Sequence, residues 1–61
     1  MTLYINVTNL SRFEELYRKE EKLQCAIERE TGIRWSVDNI ADIDELEEIL
    51  VRNKIIHQWD E

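Results

Sequence analysis

The chain has 61 residues, room for one domain, and carries 14 acidic against 8 basic side chains for a net charge of −6, with a single cysteine and a single histidine. These numbers exclude an internal disulfide and a structural zinc site, and the missing basic patch argues against direct nucleic-acid binding. No stretch approaches the roughly 18 apolar residues of a membrane span, the start MTLYINVT lacks the basic and long apolar regions of a leader, and a free Cys25 suits a reducing compartment, so a cytoplasmic protein without membrane contact is expected.

Thr2 to Val7 alternates, with Leu3, Ile5 and Val7 on one side and Thr2, Tyr4 and Asn6 on the other, which is the pattern of a half-buried strand. After a turn over residues 8–10 comes the longest periodic segment, Ser11 to Gly32. Its apolar residues Phe13, Leu16, Tyr17, Leu23 and Ile27 fall in one stripe at about 100° per residue, predicting a single long helix. Ser11 with Glu14 reads as its capping box, Leu10 as an apolar staple, and Gly32 as its stop. Glu20 breaks the pattern: it sits near the middle of the stripe, where a carboxylate must be wet, paired or placed at an interface. On the polar face, Glu14 with Arg18 and Glu15 with Lys19 are favourable four-apart pairs.

Ile33, Trp35 and Val37 again alternate and predict a second strand, which forms a βαβ unit with the first if the two lie side by side and parallel. A helix of about 20 residues is about 30 Å long, against under about 20 Å for such strands. The helix would then overhang its sheet, and the overhanging apolar end requires cover. Leu16, Glu20, Leu23 and Ile27 are therefore the expected interface of a homo-oligomer.

Asp38-Asn39 makes a turn, and Asp42 with Glu45 opens a second helix whose buried face is Ile43, Leu46, Ile49 and Leu50. Beyond Asn53 the apolar residues leave the helical face, and Ile55, His57 and Trp59 alternate like a third strand, in preference to a continued helix. The fold class that follows is α+β. One domain spans residues 1–61, in the order β-α-β-α-(β), with one long and one short amphipathic helix packed on a two- to three-stranded sheet.

A domain this small is thinly stabilised. Burying roughly 6,000 Å², somewhat over half of it apolar, yields on the order of 90 kcal/mol, and ordering the chain at about 1.5 kcal/mol per residue costs nearly the same. Self-association or a partner is the expected remedy.

Charge is the most informative feature. Residues 36–51 hold Asp38, Asp42, Asp44, Glu45, Glu47 and Glu48 with no lysine or arginine, whereas the acids outside that window balance the bases. Acids in the first turn complement the helix dipole, which accounts for Asp42, Asp44 and Glu45 better than for Glu47 and Glu48. The acidic helix is expected to dock a basic surface of a partner protein, as an adaptor or inhibitor, with Trp59 as an aromatic anchor. Two alternatives use the same residues: a self-assembly module whose acids are merely solvated, and a DNA mimic that inhibits a nucleic-acid-binding protein. The spacing Asp38, Asp42, Asp44 lacks the core of a calcium loop, so no metal or cofactor is expected. One His and one Cys without a phosphate loop or paired catalytic motif read as a non-enzyme, with His57 packed or hydrogen-bonded and Cys25 inert.

Overall fold

Strict alternation builds the first strand. In a computed structural model, which describes residues 1–60, β1 is Thr2–Ile5 and its inward residues Leu3 and Ile5 are fully buried. Helix α1 (Leu10–Lys19) and the short helix α2 (Glu21–Ala26) follow, then β2 (Ile27–Thr31), β3 (Arg34–Val37), α3 (Ile43–Arg52) and β4 (His57–Asp60), with single 3-10 turns at Val7–Asn9 and Ile40–Asp42. The four strands form one antiparallel sheet in the order β2-β3-β1-β4. Chain order β-α-β-β-α-β with this strand order is the ferredoxin-like, or split βαβ, arrangement. The α+β class stands, with four strands rather than two or three.

The expected long helix is two helices and a strand. Its stripe continues through Glu20, and burying that carboxylate unpaired would be costly. At Glu20 the backbone turns extended (φ −98°, ψ 105°), α1 ends with the Glu20 N–H on the Leu16 carbonyl, and α2 begins with the Leu23 and Gln24 N–H groups on the Glu20 carbonyl. Glu20 stays partly exposed while Leu23 and Ala26 reach the core. Gln24 Nε2 donates to the Tyr17 and Arg18 carbonyls, both at 2.9 Å, and so satisfies the end of α1 across the corner.

Ile27 starts a strand instead of ending a helix. Gly32, at φ +53°, makes the tight turn of the β2–β3 hairpin and stops no helix. Ile27 faces Val37 and Arg29 faces Trp35 across that hairpin. The Arg29 guanidinium lies over the Trp35 ring at 5.0 Å, donates to the Gly32 carbonyl, and pairs with Glu14 at 2.6 Å, so Glu14 meets a strand residue and not its four-apart neighbour Arg18.

Neither expected capping box forms. Helix α1 begins at Leu10, with Ser11 inside it, and the buried Asn9 Oδ1 accepts the Ile56 N–H at 2.7 Å instead of capping. Asp42 precedes α3 without a side-chain cap bond.

The first strand and the strand at Ile33–Val37 do lie side by side, but antiparallel, in the register Thr2↔Ser36, Leu3↔Trp35, Tyr4↔Arg34. The expected parallel pairing is absent because β2 enters first as a hairpin partner of β3. Strand β4 confirms the third expected strand and pairs antiparallel to the other side of β1. All helices cover one face of the sheet, where Leu3, Ile5, Phe13, Leu23, Trp35, Leu46, Leu50 and their neighbours form one core. Phe13 meets Trp35 edge-on at 4.8 Å.

Because the segment breaks into α1, α2 and β2, no overhanging helix end is left for a partner to cover. Leu23 and Ile27 are buried within the single chain, at 0% and 2% exposure, so the expected oligomer interface is corrected: neither can serve one without unfolding. Leu16 and Glu20 remain partly exposed. Leu23→Ala is expected to cost about 2–5 kcal/mol in urea unfolding, the range for a fully buried leucine, and Leu23→Asp to give an unfolded chain by circular dichroism. A folded, dissociated Leu23→Asp monomer would reinstate the interface.

Candidate functional site

Helix α3 is built by its buried residues Leu46, Ile49 and Leu50, with Ile43 half-buried beside them, so its other side necessarily faces out. At helical spacing that outer side carries Asp44, Glu47, Glu48 and Val51, and the preceding turn adds Ile40. Arg12, from α1, donates to the Asn53 carbonyl at 2.5 Å and the Lys54 carbonyl at 3.1 Å, which ties down the far end of α3 where Lys54 turns at φ +57°.

The six acids divide into two sets. Lys22 of α2 reaches Asp42 at 2.9 Å and Glu45 at 3.4 Å, clamping the start of α3 to the corner of the helical layer. The hydrogen bond that Lys22 Nζ donates to the Asp42 carboxylate is the main reason that the Lys22 ammonium is held above its ordinary pKa. Glu47 accepts from Trp59 Nε1 at 2.9 Å and also contacts His57 Nε2. These three acids are paired within the chain. Asp38, Asp44 and Glu48 are exposed, and among the described residues no cation lies within ion-pair distance of them.

Glu47 is the junction between α3 and β4. First the Trp59 N–H and then the His57 ring, by hydrogen bonding to its carboxylate, hold its pKa below the ordinary carboxylate value against the opposing effect of partial burial. The other His57 nitrogen, Nδ1, lies 2.6 Å from the Ile55 carbonyl. Both ring nitrogens are thus engaged, consistent with the packed, hydrogen-bonded role expected of His57, and Cys25 is exposed on α2. Trp59 is half-buried against the core with its N–H on Glu47. It is therefore less free as an anchor than its place near the end of the sequence suggests. Among the described residues no three His, Cys, Asp or Glu side chains converge as a metal site would require.

Sequence reading missed the exposed aliphatic residues. Ile40 (72% exposed) and Val51 (59%) flank the free acids, and both lie off the Ile43–Leu46–Ile49–Leu50 stripe, which is the signal that could have found them. A second apolar group surrounds an open cleft of about 330 Å³ at the end of the sheet, lined chiefly by Tyr4, Val7, Ile33, Ile56 and Gln58. Val7 was expected inward with Leu3 and Ile5. Instead the chain leaves β1 for a 3-10 turn, and Val7 is 69% exposed.

Comparison with known proteins returns no match to a family model, a curated protein or a solved structure.

The depressed pKa of Glu47 fixes a pH dependence. A carboxylate whose pKa is lower folded than unfolded contributes stability that is present above the unfolded value, 4.5, and is lost as pH falls through the lower folded value. Glu47→Gln is therefore expected to lower the urea midpoint at about pH 7 and to differ less from the parent at about pH 3. An equal deficit at both pH values would show that the carboxylate charge contributes nothing.

Proposed function

We propose that this chain is a small acidic protein-binding module, an adaptor or inhibitor, that docks a basic surface of another protein through the outer side of α3. One observation carries the reading. Of the acids gathered in residues 36–51, Asp42, Glu45 and Glu47 have partners within the chain, whereas among the described residues Asp44 and Glu48, on the outer side of α3 with exposed Ile40 and Val51, and Asp38, exposed ahead of the helix, have no ion-pair partner. Solubility alone accounts for exposed acids but gives no reason for aliphatic residues next to them. A protein interface does, because it joins apolar contact with charges that steer and select the partner.

The surface departs from the expected site in composition. Asp42 and Glu47 have close partners in the chain, Glu45 stays largely exposed but lies 3.4 Å from Lys22, and Trp59 donates to Glu47, so the docking residues reduce to Asp38, Asp44, Glu48, Ile40 and Val51. Three free carboxylates interrupted by aliphatic side chains favour a protein surface over a row of phosphates, and DNA mimicry is the weaker alternative. A self-assembly role is weaker too, since every added copy brings the same net charge of −6. Among the described residues no helix is long and apolar enough to cross a membrane. The free thiol of Cys25 suits a reducing compartment, and the reading is of a cytoplasmic binding module and not an enzyme.

The double variant Asp44→Lys, Glu48→Lys tests the reading. It is expected to abolish capture of the basic partner in a pulldown while the chain stays folded, with the melting temperature lowered by up to about 8 °C, since two exposed substitutions of about 0.5 kcal/mol each, one of them in the first turn of α3, shift a domain this small by about that much. Undiminished capture by the folded double variant would remove α3 as the docking site.

A further inference from the structure

Among the described residues, strand β4 is an edge strand with one side unpaired. Its register against β1 runs Thr2↔Asp60, Leu3↔Trp59, Tyr4↔Gln58, Ile5↔His57, and the Asn6 N–H donates to the Ile56 carbonyl at 2.8 Å at the next position. Ile5 sends its N–H the other way, to the Ile33 carbonyl at 3.0 Å. In an antiparallel ladder successive residues turn their backbone groups to opposite sides. Ile56, Gln58 and Asp60 therefore bond toward β1, and the N–H and C=O groups of His57 and Trp59 point away from the sheet. No side chain among the described residues bonds those backbone groups.

The two edges of the sheet are treated differently. Strand β2 carries an irregularity between Arg29 and Thr31 and exposes Glu28, Arg29 and Glu30 in succession, a combination that hinders pairing with another chain. Strand β4 has no such break, no proline and no lysine. It is the edge left able to accept a strand.

Charge and apolar surface then say what kind of strand. The Glu47 contacts to His57 and Trp59 place α3 alongside β4. Asp44 and Val51, three residues before and four after Glu47, share that side of the helix. A strand added beyond β4 would set its helix-facing side chains next to Glu47 and Asp44. A second copy of this chain would bring a second acidic α3 into the same space, with the two helices repelling each other. Lysine or arginine at those positions would find acids. The opposite-facing side chains would lie beside Ile56 and Gln58, on the rim of the apolar cleft formed with Tyr4, Val7 and Ile33.

We infer that β4 accepts, as a fifth strand of the sheet, an extended segment of a partner protein whose alternate side chains are basic toward α3 and aliphatic toward the cleft. This rests on the docking reading above and names the form in which the basic partner is recognised.

The test uses the full chain, labelled for NMR, and a short end-capped peptide alternating Lys and Val. In the free protein the His57 and Trp59 amides are expected to exchange quickly with solvent, and saturating peptide should slow both by roughly tenfold or more, with Gln58 little changed. A peptide with Glu in place of Lys should fail to bind, as should one N-methylated on the amides facing β4. Asp44→Lys should weaken the Lys–Val peptide roughly tenfold. Binding that shifts α3 resonances while leaving His57 and Trp59 exchanging freely would overturn strand addition and leave the docking reading standing. Equal binding of the Glu peptide would overturn the basic character of the partner. Protection of the two amides on concentrating the protein alone would show a second copy to be the occupant. No binding of the Lys–Val peptide by the folded protein would overturn the inference, and the charge-reversed double variant would then decide the docking reading by itself.

Discussion

The structure depends on the central position of β1. Leu3 and Ile5 are completely buried, and the strand is hydrogen-bonded on both sides, to β3 and to β4, so every other element is placed relative to it. Because both neighbours run antiparallel to it, neither helical connection can join adjacent strands. The α1–α2 connection passes over β3 to reach β2, and α3 passes over β1 to reach β4. That routing puts all the helices on one face and makes a single core from side chains that are distant in sequence.

The corner at Glu20 makes this routing fit a very small sheet. A continuous helix through residue 31 would be about 30 Å long, whereas the folded chain extends 26 Å along its longest axis. Ending α1 at Lys19 allows α2 to turn, Leu23 and Ala26 to enter the core, and residues 27–31 to serve as a strand. Gln24 and Lys22 then bind the corner to its neighbours, one to the end of α1 and one to the beginning of α3. The margin of a 61-residue chain is thin, this additional strand and these cross-links add to it within the chain, and an overhanging helix is not what a partner would cover.

The acids of residues 36–51 fall into two sets that composition does not separate. Asp42, Glu45 and Glu47 hold α3 to the rest of the domain, and Asp38, Asp44 and Glu48 are left over. Glu47 joins the two sets, since it fastens β4 to the helix whose outer side carries Asp44 and Glu48. The edge of the sheet and the acidic surface are consequently one continuous region, and the split βαβ topology brings them together although it does not itself specify a function.

Local pattern was sufficient for every strand in which apolar and polar residues alternate, and for the buried stripe of α3, because a period of two or of 3.6 is a property of neighbouring residues. It located Leu3, Ile5, Trp35, Val37, Leu46 and Leu50, and it showed that the charge is concentrated in residues 36–51. It misread Ile27–Thr31, whose sequence IERET carries one buried residue and four exposed ones and so resembles a helix surface as well as an edge strand. Gly32 was equally ambiguous, since a residue with positive φ ends helices and turns hairpins alike. Only the tertiary structure decided between these, because strand β2 exists through its pairing with β3 and the bend at Glu20 through the cost of burying a carboxylate. The same holds for the acids: sequence by itself determined that they are neighbours, but which of them are free was decided by Lys22, His57 and Trp59, partners that lie 10 or more residues away along the chain.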